Sequence, residues 1–77
     1  MDAFMIERVR VRNIDQINKI AYVASALDSD VGIHDANGQI ADAKSLLGLL
    51  RLDYTRPVEV VSENARALRA CVRACAV

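Results

Sequence analysis

The hydrophobic period of the chain changes at Asn13, and that change constrains the fold more than any other feature. Ahead of it Val9 and Val11 alternate with Arg8, Arg10 and Arg12, the period-two signature of a strand with one buried and one wet face. Strand one is expected over residues 4–11. Beyond it Ile17, Ile20, Ala21, Ala24 and Leu27 recur at helical spacing, and Asn13 with Gln16 three positions later is a capping-box variant. A helix starting there and ending near Asp28 is the reading.

The rest of the chain alternates in the same way. Residues 30–35 read as a strand, and the Asn37-Gly38 pair as a tight hairpin turn into a short strand over 39–42. Ser45 then caps a two-turn helix containing Leu46, Leu47, Leu49, Leu50 and Leu52. Pro57 opens a strand through Val58, Glu59, Val60 and Val61, where proline is tolerated as the first residue. Ser62 is expected to cap the last helix, with Glu63 in its first turn and Leu68, Cys71, Val72 and Cys75 as its apolar stripe. Arg66, Arg69 and Arg73 fall on the other face. The element order β-α-β-β-α-β-α with one apolar sheet face calls for helices that cover that face, an α+β arrangement.

At 77 residues the chain closes one core, so residues 1–77 form a single domain. It is 53% hydrophobic with three glycines and one proline, which favours a packed core over disorder. A deep active-site cleft does not fit in so short a chain, and chemistry is expected at the surface. Ten basic and ten acidic residues cancel, so the long-range field that draws proteins onto nucleic acid or anionic membrane is missing. Charges in Met1–Arg8 interrupt the apolar run a signal peptide needs, and no stretch reaches membrane-spanning length. A cytoplasmic protein with no nucleic-acid or membrane partner is expected. Cys71 and Cys75, four apart on a helix, are poorly placed for a disulfide and read as small core residues.

The segment Asn37-Gly38-Gln39-Ile40-Ala41-Asp42-Ala43-Lys44-Ser45-Leu46-Leu47-Gly48-Leu49-Leu50 closely resembles the part of HPr, the phosphocarrier family of the bacterial sugar phosphotransferase system, that runs from its hairpin turn into its second helix. Length and element order match nearly the whole chain, while the residue match is confined to this stretch. The resemblance implies an open-faced β-sandwich, a four-stranded antiparallel sheet with three helices on one face. It also implies carrier chemistry at a histidine just after strand one, followed closely by arginine and proline. Here that window reads Arg12-Asn13-Ile14-Asp15-Gln16-Ile17-Asn18. Ile14 stands about where the nucleophile would be, and Asp15 puts negative charge at the helix end that should receive an anion.

Ser45 matches the serine at which HPr of many Gram-positive bacteria is phosphorylated by an ATP-dependent kinase. A capping serine alone also explains the residue type. If Leu46, Leu49 and Leu52 turn toward the sheet, Leu47 and Leu50 lie about 100° around the helix and an apolar patch remains exposed. In HPr proteins the matching surface docks partners. The first expectation is therefore a regulatory, non-catalytic HPr-like module without cofactor. It docks other proteins (phosphotransferase components, an HPr kinase or a transcription regulator) through Asp15, Gln16, Lys44, Leu46, Leu47 and Leu50, with Ser45 as phosphorylation candidate. The second is a true phosphocarrier using His34, the single histidine, expected to face away from the core. The third is a structural subunit whose leucine patch makes a homo-oligomer. The arginines at 8, 10, 12, 66, 69 and 73 read as solvated faces, Gly48 as a mark of close packing, and Cys71, Cys75 and His34 supply too few ligands for zinc.

Overall fold

A computed structural model describes residues 3–75 of the chain. Its elements are strand β1 (Met5–Val9), helix α1 (Ile14–Ser25), strands β2 (Gly32–His34) and β3 (Ile40–Asp42), helix α2 (Leu46–Leu49), strand β4 (Val58–Ser62) and helix α3 (Ala65–Cys75). The four strands form one sheet in the order β1-β4-β2-β3, every neighbouring pair antiparallel. Its helix-covered face contributes Val58, Val60, Ile33 and Ala41 to a core that α1 fills with Ile17, Ile20 and Ala24. Leu49 and Leu52 join from the α2 region, and Leu68 and Cys71 from α3. This is the expected α+β open-faced sandwich.

The register fixes what the other face carries. Arg8 pairs with Glu59, Glu59 with His34, and His34 with Ile40, so these residues make one row across all four strands. Directly paired residues point to the same side of a sheet. Ile6, Val61, Gly32 and Asp42 form the next row on that side. The period-two reading of β1 therefore assigns Arg8 correctly, yet Ile6 is exposed on the helix-free face.

Strand β1 is shorter than the 4–11 expected. Its partner β4 begins at Val58, opposite Val9, directly after Pro57, which has no N–H to continue the ladder. Val11 leaves the sheet and buries its side chain in the core. Helix α1 stops at Ser25 rather than near Asp28, because the N–H groups of Ala26 and Leu27 donate to carbonyls three residues back, Val23 at 3.2 Å and Ala24 at 3.0 Å. Those tighter bonds close the helix.

The hairpin between β2 and β3 differs in kind from a two-residue turn. Gly38 has φ +84°, and no described non-glycine residue has positive φ, so Asn37 does not adopt the left-handed pair that a type I′ turn needs. Asp35 N–H donates to Gln39 O (2.9 Å) and Gly38 N–H to Asp35 O (3.2 Å), which leaves a three-residue loop, Ala36 to Gly38, with the glycine as bulge.

Two helices differ from expectation, α2 in its length and α3 in its start. Helix α2 is a single turn of four residues, extended only by bonds from Arg51 to Gly48 O and Leu52 to Leu49 O. Helix α3 is capped not by Ser62 but by Asn64, whose Oδ1 accepts from Ala67 N–H at 3.0 Å. Ser62 stays paired with Met5 in the sheet, where it is buried, donates from Oγ to Asp30 O (2.8 Å) and accepts from Asn64 N–H (3.1 Å). Glu63 consequently precedes the helix instead of lying in its first turn. The apolar stripe of α3 is as read: Leu68, Cys71 and Cys75 are buried and Val72 is half-buried, while Arg66, Arg69 and Arg73 are exposed.

Candidate docking surface

The loop from β3 into α2 is built on Asp42. Its Oδ1 accepts from Lys44 N–H and its backbone carbonyl from Ser45 N–H, each at 2.9 Å, an Asx-type turn that aims the chain into the helix. Ser45 then caps α2, its Oγ accepting from Gly48 N–H at 3.1 Å. A Cβ at residue 48 would lie 3.1 Å from that Oγ and 3.4 Å from Ala41 Cβ, so Gly48 lets the turn sit directly on β3. The close packing expected of this glycine is present. Ser45 itself is exposed and Lys44 half-buried.

With one turn seated this way, the leucines divide. Leu49 is fully buried and Leu52 nearly so, whereas Leu47 is 78% exposed, Leu50 45% and Leu46 39%. The exposure of Leu47 and Leu50 follows the helical-angle argument. Leu46 does not turn inward as expected, because a four-residue helix presents only one position, Leu49, squarely to the core. Helix α1 packs against α2, and its first turn adds Ile14, 53% exposed.

The entrance of α1 is an open groove of about 320 Å³ lined by Val11, Arg12, Asn13, Ile14, Ile17, Tyr54 and Thr55. Asn13 Oδ1 accepts from Gln16 N–H at 3.0 Å, so the cap is as read. Asp15 is exposed in the first turn. Gln16, expected among the docking residues, is buried. Its Oε1 accepts from Arg12 N–H, and its Nε2 donates to Cys75 O at 2.7 Å, 59 residues away. The side chain that would complete a capping box instead ties α1 to the end of α3, and it has no free face to offer a partner.

Tyr54 joins the groove to α2, since its hydroxyl donates to Leu49 O. Burial, and after it the charge of Asp35 nearby, pushes the phenol up to about 12, so it remains a donor at any ordinary pH. The segment bearing Tyr54 is held by two carboxylates that the sequence reading passed over. Asp35 is buried and accepts four bonds: Oδ1 from the N–H groups of Asn37 and Gln39, Oδ2 from Asp53 N–H, each at 2.9 Å, and Oδ2 from Gln39 Nε2 at 3.2 Å. The Asp53 N–H is the largest influence holding the Asp35 carboxyl below its ordinary range. Asp53 accepts from the Thr55 hydroxyl (2.6 Å), Thr55 N–H (2.9 Å) and Asn37 Nδ2 (3.1 Å), and the Thr55 hydroxyl chiefly lowers it in turn. An aspartate opening a turn is a legible signal for Asp35, but its reach to Asp53 has none in local sequence.

His34 lies elsewhere. It lines an open depression of about 530 Å³ on the helix-free sheet face, together with Arg8, Arg56, Glu59, Ile40 and the hairpin loop. Its ring folds over Gly32, where a Cβ would stand 3.5 Å from Nε2. It faces away from the helical layer, as expected, and does not line the α1 entrance. Cys71 and Cys75 are free and buried, as expected of core residues. Burial raises both thiols, Cys75 to about 11 with the neighbouring Cys71 contributing. Among the described residues no cluster of three or more His, Cys, Asp or Glu side chains could hold a metal ion, and no helix is long and apolar enough to cross a membrane.

Fold and site together define a small α+β open-faced sandwich with apolar side chains exposed on its helical layer beside a helix-capping serine. No protein-family model, no curated protein and no solved structure matches the chain.

Proposed function

We propose that this protein is a non-catalytic, HPr-like binding module that docks a partner protein through Leu46, Leu47 and Leu50 of the α2 segment and Ile14 and Asp15 at the α1 entrance, with Ser45 as a point of regulation. The observation that carries this reading is the exposure of four large aliphatic side chains on two helices that pack together. Exposed aliphatic side chains on neighbouring helices are the kind of surface that docks a partner protein. Aliphatic anchors with the polar residues Asp15, Lys44 and Ser45 beside them in the chain fit the usual anatomy of such a contact. Phosphate on Ser45 would replace the hydroxyl that now accepts from Gly48 N–H and would add negative charge beside Leu46 and Leu47. In this reading that modification switches the docking surface.

The carrier alternative places the labile phosphate on His34. What weighs against it is position, since the imidazole sits on the sheet face and Ile14 and Asp15 occupy the helix entrance.

Two incubations of the full chain separate the readings: one with ATP and an HPr kinase, one with phosphoenolpyruvate and enzyme I of the phosphotransferase system, each followed by mass measurement and site mapping. Phosphate confined to Ser45 supports the proposal, and phosphate on His34 overturns it. Leu47→Asp is expected to weaken kinase binding at least about tenfold, the scale of one lost apolar anchor, while leaving the melting temperature unchanged. A homo-oligomer that dissociates in the same variant would instead favour the assembly reading.

A further inference from the structure

The hairpin tip joins the one asparagine that precedes a glycine, Asn37-Gly38, to a network of carboxylates. Both residues are exposed. Gly38 holds φ +84° and nothing lies within 4 Å of where its Cβ would be, so the side of the loop that a Cβ would occupy is open. The bond that engages this nitrogen, Gly38 N–H to Asp35 O, is long at 3.2 Å. A residue without Cβ puts no steric obstacle between its backbone nitrogen and the preceding side-chain carbonyl. The amide of Asn37 is also the sole donor described between the hairpin and the Asp53 side chain, Nδ2 to Oδ2 at 3.1 Å.

We propose that Asn37 is a site of spontaneous deamidation, and that the modification loosens the segment bearing Tyr54 and Thr55 from the hairpin. The Gly38 nitrogen attacks Asn37 Cγ, forming a five-membered succinimide as the Cγ–Nδ2 bond breaks. The Gly38 amide proton goes to solvent base, and the leaving nitrogen takes up a proton and departs as ammonia. Water then adds to one imide carbonyl and opens the ring. Opening at one carbonyl gives aspartate, and opening at the other gives isoaspartate with an extra backbone carbon. The net change is one water consumed and one ammonia released.

Either product removes the donor to Asp53 Oδ2 and adds a carboxylate at the hairpin tip, and in the aspartate product that carboxylate stands where the amide was, against Asp53 and near the Asp35 carboxylate. Like charges at hydrogen-bond range repel where an amide and a carboxylate attracted. The isoaspartate also lengthens the backbone between Asn37 Cα and Gly38, which shifts Gly38 N–H from Asp35 O and Gln39 N–H from Asp35 Oδ1. Because Tyr54 and Thr55 follow Asp53 and line the α1 groove, the effect reaches that groove through the backbone.

The test is incubation of the folded full chain in mildly alkaline heavy-oxygen water, followed by peptide mapping that separates aspartate from isoaspartate. Asn37 is expected to convert roughly tenfold or more faster than Asn13, Asn18 and Asn64, whose following residues all carry a Cβ, with heavy oxygen appearing in its peptide. Asn37→Gln should abolish conversion in that peptide. Equal conversion at the other asparagines, or an intact Asn37 in the folded chain while the urea-unfolded chain converts, would overturn the site. For the consequence, Asn37→Asp should melt lower than Asn37→Ala, which loses the same donor without adding charge. Identical melting of the two variants would overturn the coupling to Asp53.

Discussion

Replacing Gln16 with leucine removes a long-range tie while keeping most of the side-chain volume. The amide bridges two backbone groups that have no other role in a ladder, Arg12 N–H ahead of α1 and Cys75 O at the end of α3. Gln16 is only 6% exposed, so water replaces its bonds poorly. An unsatisfied buried polar group costs about 1–3 kcal/mol, and the leucine gains a little from burying apolar atoms instead. Gln16→Leu should therefore cost about 2–4 kcal/mol, a large share of the roughly 4–12 kcal/mol expected for a domain of this length. At about 4–8 °C per kcal/mol, the melting temperature should fall by more than about 8 °C. Urea denaturation followed by circular dichroism measures it, with an unchanged slope showing that only native stability moved. Gln16→Glu sharpens the test: its carboxylate would face Cys75 O, whereas its protonated form can donate to it. Its folded-state pKa is then raised, so its stability is greatest below the unfolded glutamate value and is lost as pH rises through the folded one. A Gln16→Leu variant within about 0.5 kcal/mol of the parent, the range of ordinary surface changes, would refute the bridge.

Three other outcomes follow from the same structure. The Asp35 carboxyl is lowered below its ordinary value of 3.8, so its contribution is full above that value and disappears as pH falls through the folded one. Asp35→Asn should flatten the acid limb of the stability curve, as read from melts at stepped pH. Ser45→Ala removes the acceptor of Gly48 N–H and should cost about 1 kcal/mol, with Ser45→Asp retaining most of it. Native Cys71 and Cys75 should resist iodoacetamide at neutral pH and react only after unfolding, because burial keeps both thiols protonated; rapid labelling of the folded chain, read by mass, would contradict their placement.

Much of the architecture was readable because it rests on local periodicity. The switch from alternation in β1 to helical spacing after Asn13, the Asn13 cap, the stripe of α3 and the hairpin around Gly38 each depend on residues a few positions apart. Some misplaced boundaries came from partners far away, others from local bonds that the residue pattern does not distinguish, such as those closing α1 after Ser25. Ser62 has a capping residue's side chain, but pairing with Met5 holds it in the sheet and passes the cap to Asn64. Asn37-Gly38 promises a two-residue turn, yet the four bonds converging on Asp35 favour a longer loop. At the candidate site, Leu47 and Leu50 were legible from helix angle, while Leu46 was not, since that depended on how short α2 is.

The amino-acid order alone determined which segments become strands and helices, which stripes enter the core, and that the window after strand one holds Ile14 and Asp15 and no histidine. These are properties of neighbouring residues, and backbone sterics and side-chain spacing settle them. The tertiary structure alone decided that Gln16 is a buried strut, that Tyr54 borders the α1 groove, and that the Asp35 carboxylate reaches Asp53 N–H. Each depends on groups brought together from distant parts of the chain, and hydrogen bonds or packing across such separations leave no periodic trace in the sequence.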